Sequence, residues 1–314
     1  MEIFKQIKNK NPSILVFGDI MLDKFIYGKV ERISPEAPVP VVECHKEVNA
    51  LGGCGNVIRN LSNLGASVSL ISYVGNDLYG EIIKNNLIEL DVDIDGLLFF
   101  NNSKTTNKMR IIAEKQQVVR VDWDSDGLSN KQLEKIDKLI IEKIKSIDGI
   151  IISDYDKGLC TNYLTSQIID KAVDAKIPIF VDPKGNDWSK YSRATFITPN
   201  TKEAEQIIGY KLNKNQEFEG AGKSILDNYK IDNCLITRGK DGMAFISSKE
   251  IFYLNSDVQE VFDVSGAGDT VIACLASSFV SGLDLRSSIE FSNKAAGIAV
   301  GHLGTYAITE RDLE

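Results

Sequence analysis

Short apolar, β-branched runs punctuate the chain, and between them lie longer stretches in which apolar residues return every three or four positions. The runs Ile14 to Phe17, Ser69 to Val74, Gly149 to Ser153, Pro178 to Val181, Thr195 to Thr198 and Cys234 to Thr237 read as buried strands. Leu133, Ile136, Ile140, Ile144 and Ile147 step at helical spacing with lysines and glutamates in between. That pattern predicts an amphipathic helix covering a sheet, its lysines forming a solvated face. Strand and helix in alternation predict the α/β class with a mainly parallel central sheet.

Two regions break the alternation. Pro38 to Cys44 (PVPVVEC) and Phe99 to Trp123, where NKMRIIAE and QVVRVDW follow one another, offer strand patterns with no helix between them. They predict a small antiparallel sheet projecting from the α/β body as a lid, over about 24–48 and 97–124. No linker rich in Gly, Ser or Pro and no repeat divides the chain, so residues 1–314 read as a single domain with its lid.

Composition narrows the partners. The chain has 314 residues with 36 Lys+Arg against 44 Asp+Glu, and the net charge of −8 argues against broad capture of nucleic acid or of an anionic membrane. Its apolar runs fall far short of the ~20 residues that span a bilayer. No signal-peptide cleavage pattern follows the N-terminal lysines, so a cytoplasmic location is expected. Five scattered cysteines (Cys44, Cys54, Cys160, Cys234, Cys274) and two histidines predict neither a disulfide framework nor a zinc cage. Any phosphate must be held by local devices.

Two apparent phosphate motifs fail on spacing. Gly222-Lys223-Ser224 resembles the end of a P-loop, but Glu217 stands where the first glycine is required and a polar stretch precedes it. Gly52-Gly53-Cys54-Gly55-Asn56 misses the dinucleotide fingerprint because Ile58 replaces its last glycine. The segment Asp263-Val264-Ser265-Gly266-Ala267-Gly268-Asp269-Thr270 is more informative, since a helical stretch follows it. Small residues before a helix let the N–H groups of Gly266, Ala267 and Gly268 converge where the helix dipole favours an anion. Asp269 then reads either as a first-turn helix charge or as a base taking a proton from an attacking hydroxyl beside that anion hole.

The DVSGAGDT segment resembles the C-terminal signature of the ribokinase (PfkB) family of sugar kinases, and Gly52-Gly53 with Asn56 resembles its N-terminal one. Gly18-Asp19-x-x-x-Asp23, Asn200-x-x-Glu203, Thr237-Arg238-Gly239 with Gly242, and Asn293 follow in the family's order. Within the family, GDIMLDKFIYGKVERISPEAPVPVV, SDYDKG, VDPKG, TPNTKEAE and GHLGTYAIT resemble the kinase half of bacterial bifunctional heptose 7-phosphate kinase/adenylyltransferases. The resemblance implies a ribokinase-like three-layer α/β/α core with a projecting β-sheet lid. It also implies ATP-dependent phosphorylation of O1 of D-glycero-D-manno-heptose 7-phosphate for lipopolysaccharide core precursors, a Mg²⁺ ion and a K⁺ ion at Asp263 and Ser265, while a homodimer through the lid sheet is expected from the spacing of Arg120 and Asp122 on one face of a lid strand.

Carried onto this chain, the resemblance gives each residue a role. Asp269 is the base, with Gly266, Ala267 and Gly268 as the anion hole. Asp19 and Asp23 accept from sugar hydroxyls or else make strand-end turns. Gly52 and Gly53 let the sugar approach or open a helix over 54–64, and Asn56 contacts hydroxyls. Asn200 and Glu203 hold Mg²⁺ through water or form a capping box, and Thr201 and Lys202 line the same loop. Thr237, Gly239 and Gly242 lie under the nucleotide, Asn293 lines the adenine pocket, and Lys184 contacts phosphate. For the sugar's own phosphate, Lys157 and Arg110 rank before Lys108 and Arg32. Arg120 and Asp122, two apart on a strand, share a face.

Two rivals stand beside this reading: another sugar kinase of the family, such as a fructokinase or ribokinase, and a silent sugar- or nucleotide-binding module, which would be expected to lack Asp269. The H-x-G-H element of the bifunctional relatives' second half is absent, for His45 and His302 lie far apart. The length suits one kinase with its lid, whether separately encoded or part of a longer protein.

Overall fold

The computed structural model describes residues 2–114, 116–256, 261–302 and 304–313. Its strands are β1 (Ser13–Gly18), β2 (Ile20–Ile33), β3 (Pro40–Gly53), β4 (Ser67–Gly75), β5 (Asp93–Phe100), β6 (Asn107–Ala113), β7 (Gln116–Trp123), β8 (Gly149–Ser153), β9 (Ile179–Asp182), β10 (Phe196–Ile197), β11 (Asn233–Thr237), β12 (Met243–Ser247) and β13 (Ile251–Leu254). Its helices are α1 (Glu2–Lys10), α2 (Cys54–Leu64), α3 (Leu78–Glu89), α4 (Asn130–Lys143), α5 (Asn162–Asp174), α6 (Thr201–Ile208), α7 (Asn215–Tyr229), α8 (Ala267–Val280) and α9 (Leu285–Val300).

Nine strands form one sheet in the order β13-β12-β11-β10-β9-β8-β1-β4-β5. The seven from β11 to β5 are parallel, and β12 and β13 add an antiparallel edge. A parallel strand buried on both faces has no use for alternating polar residues, which is why β8 reads GIIIS and is buried throughout. Its side chains still alternate. Leu15, Phe17, Ile150 and Ile152 pack with Ile136 and Ile140 of α4, Ile168 of α5 and Ile225 of α7. Ile14, Val16 and Ile151 pack on the other side with Val57 and Leu61 of α2, Ile83 of α3, Ile272 of α8 and Ile289 of α9. The result is the three-layer α/β/α core of the ribokinase-like fold.

The predicted amphipathic helix is α4, capped by Ser129 with Gln132. It ends at Lys143, and Ile144 packs from a following 3₁₀ turn. The P-loop look-alike sits inside α7, where Gly222 is buried against Ile246 of β12. The hairpin of β12 and β13 was not foreseen, being two short strands at the sheet edge.

The second sheet has the order β3-β2-β6-β7. It differs from expectation in two ways. β2 and β6 run parallel, so the sheet is mixed rather than antiparallel. Residues 97–100 belong to β5 of the large sheet, because Leu97 and Phe100 are buried in the body's two apolar clusters, and the second lid segment begins at Asn107. β2 leaves the body directly, with Asp19 alone separating it from β1. All eight residues of β7 are exposed. Among the described residues no helix is long and apolar enough to cross a membrane, and all five cysteines carry free thiols.

Candidate active site

The carboxyl ends of the parallel strands meet along one edge of the large sheet, where α/β proteins place ligands. Asp19 follows β1, Asp154 and Tyr155 follow β8, Asp182 closes β9, Asn200 follows β10 and Thr237 closes β11. α8 brings its N-terminus to the same edge. Its cap is Gly266, with φ +81°. A Cβ there would lie 2.5 Å from Asn56 Nδ2, so a larger residue would be strained and would also displace Asn56.

Asp269, in the first turn of α8, is 4% exposed. The Tyr155 hydroxyl donates to its Oδ1 at 2.6 Å and Asn56 Nδ2 donates to its Oδ2 at 2.8 Å. Burial raises its pKa to about 6; these two bonds pull it down, while Asp23 pushes it up and Lys108 pulls it down. A carboxylate ionised at neutral pH yet basic enough to accept a proton suits general-base chemistry. In the turn before it, Ala267 N–H reaches Val264 O at 3.3 Å. Of the three N–H groups expected to form an anion hole, that of Ala267 is therefore engaged within the preceding turn.

Asp19 has a different task from the expected sugar contact. Its carboxylate accepts three backbone N–H groups at 3.0 Å, two on one oxygen from Tyr155 and Lys157 and one on the other from Leu159. Burial and then Asp154 raise its pKa to about 6, against the pull of those three bonds. It is 3% exposed and holds the loop of residues 154–159 in place. Asp154 helps from the other side, accepting from Asp156 N, Lys190 Nζ (2.5 Å) and the Tyr191 hydroxyl (2.6 Å). Asp19, Asp154 and Cys160 offer atoms within 4.8 Å of one another, the grouping of a metal site. Each of the two carboxylates already accepts three protein donors.

A cleft of about 1050 Å³ opens from Asp269 across the sheet edge. Lys184, Asn200, Thr201, Lys202, Glu203, Thr237, Gly239, Gly242 and Asn293 all line it, so the structure brings together the whole set expected on the nucleotide side. The capping reading of Asn200 and Glu203 is realised. Asn200 Oδ1 accepts Glu203 N–H and Glu203 Oε2 accepts Asn200 N–H, each at 3.0 Å. Glu203 Oε1 meanwhile pairs with Lys184 Nζ at 2.8 Å. Thr201 Oγ1 donates to Thr237 O, tying α6 to the end of β11, and Asn293 Nδ2 donates to Asn255 O. Asp263 bridges two loops, accepting from Ser265 N and Gly304 N. The unforeseen member of the cleft is Asp182. Burial, then the charges of Asp269 and Glu203, push its carboxyl well above the usual range.

On the other side of Asp269 lies the root of the lid. Asp23 is buried and pairs with Arg110 at 2.5 Å, and the Arg110 guanidinium lies over the Phe25 ring at 5.2 Å. Gly52 of β3, diagonal to Asp23 in the strand register, leaves room for this, since a Cβ there would run into Asp23 Oδ2. Register puts Asp23, Lys108 and Asp122 side by side, and Phe25, Arg110 and Arg120 side by side, all on one face. Lys108 Nζ stands 6.0 Å from the Tyr155 ring centroid, and burial lowers its pKa. Lys157 pairs with Asp124 at 2.8 Å, and Arg120 forks onto Asp122. Arg32 is not brought to the site, lying roughly 30 Å beyond Asp23 along β2 at ~3.3 Å per residue. Gly53 turns the chain from β3 into α2 with φ +58°.

Residues that sequence reasoning passed over are Tyr155 and Asp182. Both stand at the carboxyl ends of strands that were recognised, β8 and β9, and that position was the available signal.

The chain matches the pfkB family carbohydrate kinase profile over residues 11–312. It is 41% identical over 303 residues to the bifunctional protein HldE of Desulfatibacillum aliphaticivorans, covering 96% of this chain and 62% of that protein. The chain thus spans somewhat less than two thirds of the curated relatives it matches. Among solved structures, phosphofructokinase-2 from Escherichia coli in complex with potassium superposes with a TM-score of 0.82 at 20% identity over 96% of each chain. Arabidopsis thaliana ribokinase, complexed with ribose and ATP, superposes with a TM-score of 0.75 at 17% identity, over 96% of this chain and 97% of that one.

Proposed function

The chain belongs to the pfkB family of carbohydrate kinases, and from that premise we propose that it transfers the γ-phosphoryl group of ATP to O1 of D-glycero-D-manno-heptose 7-phosphate. The observation that carries the reading is Asp269, buried between a nucleotide-sized cleft and a lid face bearing Lys108 and Arg110, with Lys157 beside them. A free sugar has no need of cations at its far end, whereas a terminal phosphate does, and Arg110 and Lys157 would be shared between it and their present partners Asp23 and Asp124. The likeness to HldE supports the same substrate.

The chemistry follows from the positions. Asn56 and Tyr155 hold the Asp269 carboxylate beside the N-terminus of α8. The sugar hydroxyl gives its proton to Asp269 as its oxygen attacks the γ-phosphorus in line, and the bond to the β,γ-bridging oxygen breaks with its electron pair staying on ADP. The Gly266 and Gly268 N–H groups and the dipole of α8 stabilise charge on the transferred group. The lid closes over the sugar and keeps water out. Asp23, paired with Arg110, reads sugar hydroxyls from the lid root.

Asp182, Glu203 and Asn200 suit a hydrated Mg²⁺ ion, since they are oxygen donors gathered along one cleft, where a cation would relieve the repulsion that Asp269 and Glu203 exert on the Asp182 carboxyl. When bound, the ion supplies neutralisation of the triphosphate. A K⁺ ion at the Asp263–Ser265 turn belongs to the same proposal, and replacing potassium by tetramethylammonium tests it. The demand for ATP places the reaction in the cytoplasm. A homodimer through the lid is supported by the apolar back of that sheet, where Val119, Val121 and Trp123 are exposed, and sedimentation of a Val121→Lys variant checks it. The chain acts throughout as one domain with its lid.

The deciding experiment is a kinase assay on heptose 7-phosphate with product analysis. Formation of the 1,7-bisphosphate is expected, and strong preference for an unphosphorylated ketose or pentose would overturn the substrate.

A further inference from the structure

Tyr155 meets the base from a position that is unusually well fixed. Its backbone N–H is one of the three held by Asp19, so the loop that carries it is clamped, and its ring lies beside Lys108. Its hydroxyl donates to Asp269 Oδ1 at 2.6 Å while Asn56 occupies Oδ2. One oxygen of the base thus accepts an O–H from the protein itself, the same group that an attacking sugar hydroxyl presents. The phenol is a poor proton source, because burial and the neighbouring Asp269 and Asp182 push its pKa far up. It can hold the base without being deprotonated by it. Asn56 adds an independent sign of an absent hydroxyl, for its Oδ1 is buried with no partner.

We propose that the Tyr155 hydroxyl stands in for the accepting hydroxyl of the sugar: it holds Asp269 in place, denies Oδ1 to water, and yields that oxygen when the sugar arrives. Tyr155 is thus a positioning residue that suppresses futile hydrolysis, and the inference rests on Asp269 being the base. Without the phenol, a water can give its proton to Asp269 and attack the γ-phosphorus, releasing ADP and inorganic phosphate. The charged and titratable groups facing Asp269 are Asp23 on β2, Lys108 on β6, Cys54 on α2 and Asp182 on β9, besides Tyr155 itself. Removal of the phenol alone leaves those unchanged.

The test uses Tyr155→Phe, which keeps the ring and the clamped loop. Sugar-free ATP hydrolysis should rise about tenfold, short of the roughly 10²- to 10⁴-fold of a full general-base contribution because water is not held in line, and should fall to the wild-type rate or below in Tyr155→Phe combined with Asp269→Asn. Unchanged hydrolysis, or a rise that survives loss of Asp269, overturns the proposal. A second readout needs neither ATP nor sugar. Infrared titration of the Asp269 carboxyl in ligand-free protein, identified by its loss in Asp269→Asn, should show a midpoint displaced to higher pH in Tyr155→Phe. An unmoved midpoint overturns the contact itself. Failure of the kinase reading would instead appear as absence of phosphoryl transfer to any sugar, with the infrared result intact.

Discussion

Asp19 and Asp269 are two buried carboxylates facing the same sheet edge, and burial brings both to a pKa of about 6. Their partners separate them. Asp19 is held by backbone N–H groups of a single loop, and a backbone donor cannot leave without refolding that loop. Asp269 is held by two side chains from distant parts of the sequence, Asn56 and Tyr155, whose release takes only side-chain rotation and no refolding of a loop. Burial and pKa alone do not distinguish a structural acid from a reactive one. Whether its donors can be displaced does.

The strongest challenge to that contrast is Asp269→Asn. Phosphoryl transfer should fall by about 10³-fold or more while calorimetry shows nearly unchanged ATP affinity, and near-normal turnover would remove Asp269 from the chemistry. Gly266→Ala comes next. Its Cβ would press on Asn56, and turnover should drop by about 10²-fold through loss of donor alignment. Asp19→Asn should act on folding instead, lowering stability in urea by about 2–3 kcal/mol because a buried N–H is left unpaired. If stability held and the KM for sugar rose, Asp19 would be a substrate contact after all.

The pH dependence sharpens the comparison further. On the proposed mechanism turnover requires ionised Asp269 and should rise with pH through about 6. Stability should move the other way. A carboxyl whose folded pKa is raised from 3.8 to about 6 holds more protons folded than unfolded in that interval, so its contribution is full below 3.8 and is lost as pH rises through about 6. Asp19→Asn should flatten the stability slope and leave the activity limb in place. The smallest effect belongs to Asn200→Ala, which removes a helix cap and should cost about 1 kcal/mol in thermal unfolding.

The core strands were legible because a strand buried on both faces writes itself as an unbroken apolar run, as in GIIIS and ILVF. The cleft expected to take the nucleotide was legible for a related reason: its residues sit in short local motifs at strand ends and at the start of α8. What escaped depends on contacts between distant segments. Nothing near Tyr155 says that its hydroxyl will meet residue 269, and nothing near Asp19 says that three amides of the loop after β8 will surround it. The lid's second boundary escaped because Asp93–Phe100 and Asn107–Ala113 are both plausible strands, and only tertiary packing assigns the first to the body.

The near-seamless passage from β1 into β2 has a mechanical consequence. With Asp19 alone between the two strands, the lid is a cantilever clamped at its base rather than a flap on a joint. Its compliance lies outward, at the register shifts between Tyr27 and Gly28 and between Val30 and Arg32. A beam loaded this way sweeps widely at its tip and barely moves beside the clamp. Asp23, Lys108 and Arg110, seated near the clamp, should keep their places while the far end swings, so on the proposed function the groups that meet the sugar stay still as the tip travels.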